Sequence, residues 1–185
     1  MWDLRDDRVF VAFDKSIENT MNSIDYESLF TDSSFNDDVY TDTNYIQNTY
    51  PFEWAVLNNF CIQILEKYVQ PAFVDKKISI SEIKLAEGYS DGNYNWHTDK
   101  DGEYENDADI PRCEQDIICL YYFNDTDFGP LCFKYSDRPG LYKFYPRKGM
   151  IAILNEYDPG LIHKIEYYEK NQGKRYTARV SFRVE

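Results

Sequence analysis

Histidine is the rarest of the chemically versatile residues here: two occur among 185, His97 and His163. Cysteine is scarce as well. Cys61, Cys113, Cys119 and Cys132 form no CxxC pair, which sets aside a zinc ribbon and a disulfide framework and leaves reduced, mostly buried thiols. No apolar stretch approaches the length that crosses a bilayer. Met1–Asp7 has no basic region followed by an apolar run, so no cleaved leader is predicted. Basic charge is short too: 20 Lys and Arg stand against 33 Asp and Glu, a net charge of −13. Phosphate neutralisation needs clustered cations, so the balance argues against nucleic acid. These shortages together predict a soluble, cytoplasmic protein with neither a membrane nor a nucleic-acid partner. The charge is uneven, however. The first sixty residues hold most of the acidic excess and the chain from Phe133 onward is locally basic, which could steer a small anion inward.

What is present is a globular, aromatic composition, 43% hydrophobic and 17% aromatic with seventeen tyrosines, which favours β-structure. The length fits one domain, 1–185, with helical support over about 1–75 and a β-rich core over about 76–185. Arg8–Phe13 reads as a strand and Lys15–Leu29 as a short helix. Asp32–Thr49 reads as a long acidic loop. Pro51 opens the clearest helix, with Val56, Leu57, Phe60, Ile64, Leu65 and Val69 at three- and four-residue spacing before Pro71. Strands are predicted over Ile78–Leu85, around His97, and over Asp116–Phe123, Leu131–Tyr135, Met150–Leu154, Leu161–Ile165 and Lys174–Val184. Turns are predicted at Ser136–Tyr142, Pro146–Gly149 and Asp158–Gly160. Many short strands after a helical beginning indicate a mostly β, α+β chain: a jelly roll (double-stranded β-helix, cupin-like) braced by helices.

Within that frame, Asn95-Trp96-His97-Thr98-Asp99 stands out. Strand side chains alternate, so His97 and Asp99 point the same way. His163, at the start of a strand after a tight turn, is either a half-buried structural histidine or a third ligand. Two imidazoles and a carboxylate with open positions opposite suit non-haem Fe(II) that activates oxygen. In the last strand Arg175, Thr177, Arg179, Ser181 and Arg183 share one face. That face is either solvated or turned inward, where a guanidinium fork would match a carboxylate.

The parts then fall in a recognisable order. Tyr94 stands three residues before His-x-Asp; Leu120-Tyr121-Tyr122-Phe123-Asn124 follows the loop; a Pro-x-x-Gly turn and apolar strand run from Pro146 to Leu154; and Gly173-Lys174-Arg175-Tyr176 follows the second histidine. Over roughly Ile78–Glu185 this resembles the Fe(II)/2-oxoglutarate-dependent dioxygenases, most of all their prolyl-4-hydroxylase-like branch. The resemblance implies iron bound by His97, Asp99 and His163, and 2-oxoglutarate held at its distal carboxylate by Arg175 and Tyr122. Arg179 competes for that carboxylate or meets the substrate, and Tyr94 lies toward the substrate. The implied reaction hydroxylates a C–H bond with O2 while 2-oxoglutarate is decarboxylated to succinate and CO2; ascorbate is an admissible accessory. The implied substrate is a peptide or protein side chain, prolyl or other, or a small metabolite. Two departures fall at positions near the substrate. Gln115 stands where that branch often has arginine, and Ser181 where it often has tryptophan, which leaves prolyl specificity open. The acidic loop after Asp99 and the Asp32–Thr49 segment are candidate substrate lids. The alternatives are a non-catalytic jelly-roll metal-binding or assembly module, a nucleobase oxygenase and a zinc hydrolase. The last gives Arg175 and Tyr122 no shared task.

Overall fold

In a computed structural model, the described residues are 8–31, 43–88, 96–98, 116–157, 160–166, 168–169 and 172–185. Two antiparallel sheets form a jelly-roll core. The larger has the order β1-β6-β3-β8-β2, built from β1 (Val9–Phe13), β6 (Met150–Asn155), β3 (Ile117–Tyr122), β8 (Arg175–Val184) and β2 (Ile78–Gly88). The smaller has the order β5-β4-β7, built from β5 (Tyr142–Phe144), β4 (Leu131–Tyr135) and β7 (Leu161–Ile165). Strand alternation divides the core in two. Ile117, Cys119 and Tyr121 of β3, with Ala178, Val180 and Phe182 of β8, face the helices. Ile118 and Tyr122, with Met150, Ala152 and Leu154 of β6, face the small sheet across Leu131, Phe133 and Leu161. Both faces of β3 and β6 are covered, so these strands are nearly continuous in apolar residues.

The helical layer comprises α1 (Lys15–Met21), α2 (Tyr26–Thr31), α3 (Thr43–Thr49) and α4 (Pro51–Ile64). Asp14 caps α1, its carboxylate accepting from the Ser16 and Ile17 backbone N–H groups. Pro51 begins α4, where its missing N–H is no loss. Leu57, Phe60, Cys61 and Ile64 form the face of α4 pressed on the large sheet. Beyond Ile64 the helix widens into a π turn, Leu65–Val69, and tightens into a 3-10 turn, Gln70–Ala72, where Pro71 ends it. Among the described residues no helix is long and apolar enough to cross a membrane.

Several sequence expectations need correction. The single helix over Lys15–Leu29 is two, because the chain turns at Asn22–Asp25. The loop expected over Asp32–Thr49 ends in α3, whose polar sequence is anchored by the fully buried Ile46. Residues 32–42 lie outside the described set. Part of the turn expected over Ser136–Tyr142 gives way to β5, which begins at Tyr142 and pairs with β4. His97 joins the small sheet through a single bridge rather than a strand. His163 is the middle residue of β7, not its first.

Candidate metal and cosubstrate site

The two histidines meet. The His97 N–H donates to the His163 carbonyl (3.0 Å) and the His163 N–H donates back to the His97 carbonyl (2.9 Å). Residues that exchange both hydrogen bonds put their side chains on one face, and the two rings lie 4.4 Å apart at 53°. Register fixes that face as the inner one, because His163 pairs with the buried Phe133 of the core between the sheets. Beside His97, Trp96 turns the other way and lies under two cations, Lys134 Nζ at 4.4 Å and Lys164 Nζ at 5.1 Å from its ring centre. These contacts hold the short His97 segment against β4 and β7.

Asp99 and Tyr94, the other residues singled out around His97, lie outside the described residues, as does Gln115. Among the described residues no three His, Cys, Asp or Glu side chains are grouped so as to hold a metal by themselves.

A carboxylate that sequence reasoning passed over also reaches this site. Glu156, directly after β6, is 3% exposed and its Oε1 lies 2.7 Å from Nδ1 of His163, itself 7% exposed. The contact is short but bent away from a straight hydrogen bond. The available signal was an acid directly after the buried strand Met150–Asn155, but its partner sits on the other sheet.

Arg175 and Tyr122 come together at another part of the same interior. Arg175 is the first residue of β8, 6% exposed, and Tyr122 is the last of β3, paired in register with Thr177. Nη1 of Arg175 donates to the Gly129 carbonyl at 3.0 Å, while its buried Nε has no hydrogen-bond partner among the described residues. Burial pushes the Tyr122 phenol up to about 12, against the opposing pull of the Arg175 charge, so it stays a neutral donor. Gly129 sits at φ +57, and a Cβ there would lie 2.6 Å from the Tyr168 ring, so glycine is required where the chain presents that carbonyl. Asn124 fixes the other side. Its Nδ2 donates to the Lys174 carbonyl (2.9 Å) and its Oδ1 accepts from the Tyr176 N–H (3.0 Å), bracketing Arg175.

Arg179 lies on the same face of β8, half-buried, between Leu120 of β3 and Lys84 of β2. About 13 Å of extended strand separates its Cα from that of Arg175. Ser181 is fully buried opposite Ile118 and Glu82.

No protein-family model matches the chain. No curated protein matches it in sequence. Solved structures do match in fold. A prolyl 4-hydroxylase of Phytophthora capsici superposes with a TM-score of 0.71 at 14% identity, covering 97% of this chain and 60% of that one. A Trichoplax adhaerens prolyl hydroxylase, solved with a hypoxia-inducible-factor peptide fragment, gives 0.68 at 13%, covering 97% and 84%. HygX of Streptomyces hygroscopicus, solved with nickel and 2-oxoglutarate, gives 0.61 at 16%, covering 94% and 81%. The chain thus spans about three fifths of the Phytophthora enzyme and shares the fold of prolyl hydroxylases and other 2-oxoglutarate oxygenases.

Proposed function

We propose that this chain is an Fe(II)- and 2-oxoglutarate-dependent oxygenase that hydroxylates a C–H bond in a peptide or protein side chain. The observation that carries the reading is Arg175. A guanidinium is enclosed inside the jelly roll, tied to one carbonyl, with Nε unpartnered among the described residues. Among the described residues no acid is paired with it, and enclosing an unpaired cation costs several kcal/mol. That is reasonable where an anion is to be received, and a carboxylate fits the planar fork. Tyr122 offers the same anion a neutral O–H donor. Arg179, further along the strand, is left to meet the substrate or the inner end of the cosubstrate.

His97 and His163 supply two imidazoles on one inner face, and Asp99, two residues after His97 in the sequence, would supply the carboxylate. That donor set suits Fe(II) with open positions, and the bound iron, 2-oxoglutarate and O2 supply the redox chemistry. The chain's own residues have separate tasks. The paired backbones of His97 and His163 hold the imidazoles, Asn124 and Gly129 hold Arg175, and the apolar layer around Leu131, Phe133 and Leu161 limits water. The peptide-side-chain substrate is supported by the prolyl hydroxylases among the fold neighbours. The absence of a tryptophan at Ser181 widens it beyond proline.

The test uses 2-oxoglutarate labelled at C1, with Fe(II), ascorbate and a set of proline-containing and proline-free peptides. The expected result is labelled CO2 release that depends on Fe(II), is stimulated by one peptide class with a mass gain of one oxygen, and is abolished in His163→Ala. No release under any condition, together with no detectable binding of 2-oxoglutarate, would remove the proposal.

A further inference from the structure

We infer that Lys84, Arg179 and Glu82 form a substrate subsite that receives an acidic side chain of the peptide, an Asp or Glu close to the residue to be hydroxylated. The inference rests on the oxygenase reading for the reaction and adds the charge of the substrate. It starts from an irregularity in β2. Ile78 and Ile80 pack against the helix-facing core, and so do Ile83 and Leu85. Strict alternation cannot put both Ile80 and Ile83 on one face. The register resolves this: Ile80 pairs with Phe182 and Glu82 with Ser181, so Ser81 is an extra residue, a β-bulge. Without the bulge, Glu82 and Lys84 would follow Ile80 toward the helices. With it, they turn to the interior between the sheets.

There Lys84 stands directly opposite Arg179, and Glu82 opposite the fully buried Ser181. On their other side Arg179 and Ser181 pair with Leu120 and Ile118, which pack in the core between the sheets. Lys84 Nζ lies 2.7 Å from Glu82 Oε1, and each of these side chains keeps 26% of its surface exposed. The wall thus carries two cations and one carboxylate, all half-buried and within reach of a ligand in the interior. Like charges directly opposite in a sheet are unfavourable, and a strand position needed only for packing is better filled by an apolar pair. An incoming carboxylate accounts for the arrangement, because it accepts hydrogen bonds from both Lys84 and Arg179. The chain has a net charge of −13, so its surface at large repels an acidic peptide and the selectivity has to be local. Arg175 and Tyr122 account for one carboxylate of 2-oxoglutarate. Arg179 lies about 13 Å further along the strand, which leaves its wall to a second anion.

Peptide binding can be read without turnover, by fluorescence anisotropy on the 185-residue chain with Fe(II) and 2-oxoglutarate under anaerobic conditions. The probes are short labelled peptides alike except for one residue, Asp, Asn or Lys, on either side of a central proline or leucine. The parent should prefer an Asp peptide to its Asn counterpart by about 10–100-fold. Lys84→Gln and Arg179→Gln should each lower that ratio at least about fivefold, and Lys84→Glu should turn the preference toward the Lys peptide. Glu82→Gln should raise the affinity for the Asp peptide, because the competing carboxylate is gone. An ion pair serving only the fold would instead lower the melting temperature in Glu82→Gln and leave binding unmoved. Equal or absent binding of the three peptide types in the parent, or a preference unchanged in every variant, would overturn the inference. So would a Lys84→Gln variant that loses 2-oxoglutarate affinity and keeps Asp-peptide affinity, since the wall would then belong to the cosubstrate. Should a variant not fold, the Asp-over-Asn ratio of the parent still decides. The oxygenase reading fails separately: a parent with the Asp preference but no CO2 release from labelled 2-oxoglutarate keeps the subsite and loses the reaction.

Discussion

Replacing Arg175 with methionine should move stability and cosubstrate binding in opposite directions. The guanidinium is 6% exposed, donates one hydrogen bond to Gly129, and leaves Nε unpartnered among the described residues. With no acid paired to it among the described residues, removing a desolvated charge of this kind relieves several kcal/mol. Leaving the Gly129 carbonyl without its donor costs about 1–3 kcal/mol. The net effect on the ligand-free protein is then between about zero and 3 kcal/mol in favour of the variant. At this chain length each kcal/mol moves Tm by about 2–4 °C, so the melt should stay level or rise by up to about 12 °C. Truncating one side of a buried charge-assisted pair typically removes about 2–5 kcal/mol of binding, and every 1.4 kcal/mol is tenfold. The affinity for 2-oxoglutarate should therefore fall between about 30-fold and a few thousand-fold. Calorimetric melting and 2-oxoglutarate titration on one preparation provide both readouts. A variant that melts well below the parent yet binds 2-oxoglutarate normally would refute the reasoning, since Arg175 would then be a structural residue.

Gly129→Ala places a methyl against the Tyr168 ring in a left-handed backbone; it should lose about 1–3 kcal/mol and weaken 2-oxoglutarate binding by displacing the Arg175 carbonyl partner, as read by melting and titration. Trp96→Ala removes both lysine contacts, each worth about 0.5–1 kcal/mol, and should lower Co(II) affinity without altering either histidine; unchanged affinity would remove Trp96 as the anchor of His97. Asp14 gives the pH dependence. Partial desolvation pushes its carboxyl up, but hydrogen bonds from Lys67, Ser16 and Tyr68 outweigh this and hold it well below the ordinary range. A depressed folded pKa stabilises above the unfolded value of about 3.9 and loses that contribution as pH falls through the folded value. Asp14→Asn should thus flatten the loss of stability below about pH 5, and its loss of the charged cap and of Lys67 pairing should show near neutral pH as about 1 kcal/mol. Parallel acid melts of the two proteins check this.

The central strands were readable as short, continuous apolar and β-prone runs bounded by turns, because both of their faces are covered. Ile118, Leu120 and Tyr122 alternate with Ile117, Cys119 and Tyr121, and the two sets enter different halves of the core. Elements held by tertiary contact were not readable. Thr43–Thr49 is polar in composition and becomes helical around Ile46, while β5 pairs with β4 despite its short and exposed sequence. At the candidate site only the two rare imidazoles were a local signal; Arg175 and Tyr122 were singled out through the resemblance, because the sequence left the Arg175 face either solvated or inward, and the structure buries both side chains. Glu156 was hidden, and Asn124, though part of the quoted motif, had no legible task, because their meaning lies in partners on another strand: His163 across the two sheets, and the backbone on either side of Arg175. Gly129 was likewise silent, because only its left-handed φ and the Tyr168 ring give it a reason.

The central claim is that this fold gathers its two histidines to hold Fe(II) and sets Arg175 to receive 2-oxoglutarate. Anaerobic Fe(II) titration of the 185-residue chain, with and without 2-oxoglutarate, tests it most directly through the visible metal-to-ligand charge-transfer band. The band should require both additions, vanish in His163→Ala and weaken in Arg175→Met. No band at saturating iron and 2-oxoglutarate would contradict the account and leave a jelly roll that binds without oxidising.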